Sequence, residues 1–226
     1  MKTAEFEQNT VDFLNIAYKD YLAARILLNA GLPLQGGVLA STAIEKYFKA
    51  ILTFYGNKSH GHLKKSHVNA VKNFDPKLWV SISEEFVELL QRVYDLRYLD
   101  DLKNDFNVVI ATREFLAELD YTAITIQEKF QIEKNGKEAI LFYQECINRK
   151  DSRLYLNNHI LSSIEKQTFI SVEPQLIYEV RKCPLRGFFE ISYLTKGQKS
   201  DGNFLRSGLT PKNTVGEQDQ TAFLQI

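Results

Sequence analysis

From Gly36 to Tyr55 the chain is apolar on almost every side, with Leu39, Ala43, Ile44, Tyr47, Phe48, Ile51, Leu52 and Phe54 recurring at helical spacing. The polar residues Thr42, Glu45, Lys49 and Thr53 fall on one narrow stripe, three, four and four positions apart. A helix wetted along a single stripe belongs at the centre of its fold, because every other side must be covered. At the usual helical rise the run is roughly 30 Å long, and Gly56-Asn57 stops it. The rest of the chain must therefore supply helices to surround it.

Three further long helices are expected. Val11, Leu14, Ala17, Tyr18, Tyr21, Leu22 and Leu28 predict one over 11–29, closed by Gly31 and Pro33. Ile82, Phe86, Leu89, Val93 and Leu96 predict another, capped by Ser81 or Ser83 and running to about Leu102. Val108, Thr112, Phe115, Leu119, Thr122, Ile126 and Phe130 predict the fourth, ending near Asn135-Gly136. Between the second and third, NKSHGHLKK (57–65) reads as a loop, followed by a short helix from Ser66 to Phe74 that Asp75-Pro76 closes. Long helices with short connections imply an antiparallel up-and-down bundle of four or five helices over residues 1–134.

Residues 135–226 are of different character and are expected to form a small mixed α/β C-terminal extension. Ala139 to Ile147 and Arg153 to Ile164 suggest helices, while Thr168–Val172, Leu176–Val180 and Phe188–Tyr193 look strand-like. The stretch 195–221 is rich in Gly, Ser, Asn, Gln, Thr and Lys and reads as a mobile tail, with Phe223-Leu224-Gln225-Ile226 able to dock. Seven Lys/Arg against three Asp/Glu between Ile177 and Lys212, interleaved with aromatics, would suit single-stranded nucleic acid; an ordinary strand followed by a solvated tail explains the same pattern.

Charge and cysteines exclude several classes of function. Lys+Arg 28 balances Asp+Glu 28, so no global field steers the chain to nucleic acid or membrane. Two cysteines, Cys146 and Cys183, are too few for a disulfide framework or a zinc site and fit a reducing cytoplasm. Acidic residues near the start and the lack of an 18-residue apolar run point to a soluble, unexported protein with no membrane partner. No phosphate-binding glycine loop or hydrolase triad is present, and no cofactor or resident metal is expected. His60, His62 and His67 cluster, but on a loop without a fourth ligand, so packing or capping by His67 is the favoured reading.

Three features resemble the HEPN family, helical bundles that dimerise and that accompany nucleotidyltransferases or act as RNases. They are Ala24-Arg25-Ile26-Leu27-Leu28 with Gly31, the segment Ala43-Ile44-Glu45-Lys46-Tyr47-Phe48-Lys49-Ala50-Ile51-Leu52, and the pairs Ser66-His67 and Arg97-Tyr98. The resemblance covers residues 1–134 and implies a homodimer with nucleotide- or RNA-associated binding. On it, Glu45, Lys46, Lys49, His67, Arg97 and Tyr98 become candidates for a cleft that takes a nucleotide or single-stranded RNA. The bland alternatives are Glu45–Lys49 pairing within one helix and pairing of Arg97 with Asp95, Asp100 or Asp101.

RNase members carry an Arg followed four to six residues later by His, and here Arg97 is followed by YLDDLKNDF. Without the imidazole the ribose 2′-hydroxyl loses its proton carrier, so a non-catalytic accessory role is expected. Arg153-x5-His159 fits the spacing but lies in the extension and reads as coincidence. The alternatives are a divergent metal-independent RNase of the toxin–antitoxin kind, with Arg97 and His67 meeting in space, and an interaction module that docks a nucleotidyltransferase.

Overall fold

A computed structural model describes residues 4–57, 62–63, 65–104, 106–130, 133–134, 137–138, 141–183 and 187–195. Expectations for His60, for Ala139 and Ile140 and for the tail beyond Thr195 lie outside the described residues. The described chain is mainly helical, with a small three-stranded antiparallel sheet.

Two long helices, α1 (Ala4–Asn29) and α2 (Pro33–Phe54), pack along each other. Each ends at a glycine in the left-handed region, Gly31 at φ 76° and Gly56 at φ 80°. The geometry is the same at both ends. Leu32 N–H donates to the Leu27 carbonyl as Asn57 N–H does to that of Leu52, so the last carbonyls of each helix are satisfied. Pro33 opens α2, where its missing N–H costs nothing. At Gly36 an added Cβ would stand 3.0 Å from the Leu28 backbone nitrogen and 3.1 Å from the Ala24 carbonyl oxygen, so glycine is what lets the two backbones approach.

The central position of α2 follows from its composition. It meets α3 (Lys65–Phe74), α5 (Glu84–Asp95) and α6 (Thr112–Lys129) as well as α1. Its polar stripe is wetted less than its pattern implies, since Glu45 and Thr53 are buried too. The Gln127 side chain of α6 donates to the Tyr47 hydroxyl at 2.9 Å, tying α6 to α2.

Short elements fill the spaces between. Asp75 accepts from Leu78 N–H and caps α4 (Pro76–Ser81), so the Asp75-Pro76 pair that ends α3 also begins a helix. Ser83, not Ser81, caps α5 by accepting from Phe86 N–H at 3.2 Å. That helix stops at Asp95 rather than at Leu102. Its amides then turn back three residues, as from Arg97 to the Tyr94 carbonyl, and Leu99–Asp101 forms one 3-10 turn.

The fourth helix also starts later than its spacing implies. Asn107–Ala111 is a strand, β1, and α6 begins at Thr112. Val108, Val109 and Ile110 are β-branched and β1 is buried on both faces, which a four-and-three reading of Val108 and Thr112 does not distinguish from helix. A two-stranded ribbon, β2 (Glu133–Lys134) and β3 (Lys137–Glu138), follows α6.

In the C-terminal region α7 (Phe142–Asn148) and α8 (Ser152–Tyr155) pack on α1, and α9 (Lys166–Ile170) packs on α6. Thr168–Val172 is thus not a strand. Glu165 accepts from the Gln167 and Thr168 amides, and that cap makes the segment helical. Arg153–Ile164 yields the four-residue α8 and then turns. The two expected strands are present as β4 (Gln175–Cys183) and β5 (Gly187–Thr195).

Strand order is β1-β4-β5, antiparallel throughout, with Ala111 opposite Ile177 and Ile177 opposite Tyr193. The core is continuous across residue 134: Leu141, Tyr143, Cys146, Leu154, Phe169, Tyr178 and Val180 belong to the same buried cluster as the long helices. Arg25 of α1, fully buried, ion-pairs with Asp120 of α6 and donates to the carbonyls of Arg153 and Leu156. Burial pushes the Asp120 carboxyl up, and the Arg25 guanidinium and the Tyr21 hydroxyl offset only part of that rise.

Candidate functional site

The stripe of α2 reaches the surface at Lys49, which donates to Glu45 one turn back at 2.6 Å. Glu45 is only 5% exposed because residues 62–63 cross over it. Leu63 N–H donates to its second oxygen at 3.2 Å, and His62 Nδ1 lies 3.5 Å from that same oxygen. Both carboxylate oxygens therefore have partners, which is what lets this charge sit under a loop.

His62 carries the arrangement on to α5. Its ring centroid lies 4.6 Å from that of Tyr94, at 34°. Tyr94 is buried, and burial pushes its phenol up to about 12, so the hydroxyl keeps its proton at neutral pH. Arg97 donates to that hydroxyl at 2.9 Å, and its guanidinium carbon sits 4.9 Å from the centre of the Tyr94 ring and 5.8 Å from that of Tyr98. Arg97 and Tyr98 are both exposed. Among the described residues Arg97 forms no ion pair, so the expected pairing with Asp95, Asp100 or Asp101 is replaced by stacking on two tyrosines. The helix end at Asp95 explains this: the chain turns immediately beyond it, and Asp100 and Asp101 enter the 3-10 turn.

Two grooves flank the end of α5. One of about 660 Å³ runs between α3 and α5 and is lined by His62, Lys65, Lys72, Trp79, Arg92 and Tyr94 among others. The other, about 550 Å³, reaches Tyr98, Lys103 and Asn107. They meet at Arg92 and Asp95, which line both. Volumes of this size admit a nucleotide. The cationic groups are not alone there, since Glu84, Glu88, Asp95 and Asp101 line the same grooves and Glu84 is taken by Lys72 at 2.6 Å.

The six candidate residues separate into two sets. Glu45, Lys49, Arg97 and Tyr98 come together through His62 and Tyr94. Lys46 leaves the set: one residue on from Glu45, it is turned roughly 100° round the helix and pairs with Asp20 of α1. His67 also leaves it, being 1% exposed in α3. The histidine that reaches Tyr94 is His62. In the sequence it stands out only as one of three clustered histidines in a basic loop, because its partners Glu45 and Tyr94 are far from it along the chain.

Arg153 and His159 do not form a site. Arg153 pairs with Asp151, while His159 is buried with its ring against Phe169 at 5.7 Å. Among the described residues no group of three His, Cys, Asp or Glu is placed to hold a metal ion, and no helix is long and apolar enough to cross a membrane.

The arrangement defines a class: a mainly helical protein with a cation–aromatic surface where a loop and a helix end meet. No protein-family model matches the chain, and neither a curated protein nor a solved structure does.

Proposed function

We propose that the chain is a HEPN-like nucleotide- or RNA-associated binding protein, acting as an accessory rather than a catalyst. One observation carries this reading: Arg97 is exposed, lies over two tyrosine rings and has no carboxylate partner among the described residues. A guanidinium held this way keeps a planar set of N–H donors for a phosphate, and the half-exposed Tyr98 ring offers a base a face to stack on. The His62 ring, packed against the same Tyr94, adds a polar group beside it, while Lys49 is held by Glu45. The resemblance supplies the ligand class and a homodimer as the working unit; its span, residues 1–134, shares one core with the residues that follow.

The experiment is a titration of EDTA-treated protein with labelled single-stranded RNA and with nucleoside triphosphates, beside the Arg97→Ala variant. Binding weakened at least about tenfold in the variant is expected, the equivalent of one charge-assisted contact. No binding of either ligand would overturn the reading and leave the interaction module, with a nucleotidyltransferase as the partner to look for.

A second reading has its own observation. His62, with the Glu45 carboxylate 3.5 Å from Nδ1 and its ring against Tyr94, whose hydroxyl accepts from Arg97, has the elements of an acid–base group beside a phosphate anchor. On that reading the chain is a divergent metal-independent RNase. RNA cleavage in EDTA that is lost in both His62→Ala and Arg97→Ala would establish it, and binding without cleavage would exclude it.

A further inference from the structure

In the order β1-β4-β5, strand β5 ends the sheet. All nine of its residues pair with β4 along one edge, and along the other no described strand follows. Natural edge strands are blunted by proline, lysine, bulges or shortness. The sequence of β5, GFFEISYLT, has none of these devices and one charge, Glu190. The opposite end of the sheet differs: β1 has five residues, all buried, and Arg92 donates to its Asn107 carbonyl.

We propose that β5 pairs antiparallel with β5 of a second copy, joining two sheets into one of six strands. The charge pattern of the strand is compatible with a second copy of itself and sets the register. A two-fold axis perpendicular to the sheet requires one residue to stand opposite its own copy, because side chains on facing residues must share a face. With Ile191 on the axis the whole strand pairs, Gly187 with the partner's Thr195. Phe189 then faces the partner's Tyr193 and Ile191 the partner's Ile191. On the other face Phe188 meets the partner's Leu194, and Glu190 meets the partner's Ser192, a hydroxyl donor. Moving the axis to Glu190 would set two carboxylates opposite each other.

The pairing also continues a layer already present. Tyr193 is opposite Ile177 and Ile191 is opposite Glu179, so Phe189, Ile191 and Tyr193 share the sheet face of the apolar cluster Val109, Ala111 and Ile177. Two-fold joining runs that face unbroken across both copies. The inference rests on the sheet alone and stands whether or not the chain binds RNA.

The test is sedimentation equilibrium of the full chain across roughly the micromolar range, combined with thiol trapping. Ile191→Cys is expected to give a disulfide-linked dimer on mild oxidation, whereas Glu190→Cys, opposite the partner's Ser192, is not. Wild type, with Cys146 buried and Cys183 half-buried, is the baseline. Ile191→Lys sets like charges together and is expected to weaken association at least about tenfold. Ser192→Lys, at an exposed position, places an ammonium opposite the partner's Glu190 twice and is expected to strengthen it several-fold. Should Ile191→Lys fail to fold, Ser192→Lys and the trapping pair decide. A monomer at every concentration would overturn the proposal, as would a dimer that neither lysine alters and Ile191→Cys does not trap.

Discussion

Arg25 and Asp120 form an ion pair between α1 and α6 in which neither side chain has any exposed surface. The Tyr21 hydroxyl donates to the same carboxylate oxygen at 2.8 Å, and Leu156 offers Arg25 a carbonyl. Asp120→Ala leaves a buried guanidinium without its counter-charge and is expected to cost ~3–5 kcal/mol. The double variant Arg25→Met/Asp120→Leu should cost less than that single change. Urea midpoints of the three proteins check both statements, and a double variant worse than Asp120→Ala would refute the second.

Gly36→Ala is expected to destabilise by ~1–3 kcal/mol. The new methyl would press on the Leu28 and Ala24 backbone, which cannot rotate away as a side chain can. Helix propensity alone predicts the opposite sign, since alanine is the better helix former. Thermal unfolding of the variant separates the two, and an unchanged or higher midpoint would show that α1 moves aside at little cost.

Arg97→Ala is expected to leave stability within ~0.5 kcal/mol, as an exposed side chain without an ion pair should. RNA affinity should fall in the same protein. Arg97→Lys should recover only part of it, because an ammonium neither stacks on Tyr94 and Tyr98 nor presents a planar fork. Anisotropy titrations at one fixed salt concentration read the difference, and full recovery by lysine would mean that charge alone matters.

Asp151 gives a prediction in pH. Hydrogen bonds from the Arg153 side chain, outweighing partial burial, lower its carboxyl from 3.8 to about 2. The folded-state value is depressed, so the stabilisation is fully present above about pH 4 and is lost as pH falls toward 2. Asp151→Asn should flatten the acid limb of the stability curve in that window and lower stability at neutral pH. Unfolding midpoints at several pH values test it; parallel acid limbs in the two proteins would refute it.

The parts of the fold legible in the sequence were those governed by local rules. The polar stripe and the stop at Gly56 define α2, Gly31 ends α1, and the alternation in 188–193 marks β5. Three departures each reflect a contact made far along the chain or a cap of a different kind. Val108 is in a strand because β4, some seventy residues on, gives it a hydrogen-bonding edge. Thr168 is helical because Glu165 caps it, and α5 stops early at a turn that no glycine or proline announces. The site was half legible for the same reason. Helical spacing places Glu45 beside Lys49, but nothing local could show that Lys46 belongs to Asp20, that His67 is buried, or that His62 and Arg97 share a tyrosine.

The pairing of β1 with β4 also sets a timetable for synthesis. β1 leaves the ribosome with every residue destined for burial, yet the strand that completes it is encoded on the far side of α6, α7, α8 and α9. At ordinary elongation rates the interval is roughly 4–14 s, long against the microseconds in which the helices can form. During that interval Val108, Val109 and Ile110 are an open template on a half-finished chain. A stop codon anywhere before Gln175 would make the exposure permanent, so truncated products of this gene should be lost to aggregation or proteolysis rather than persist as a helical fragment.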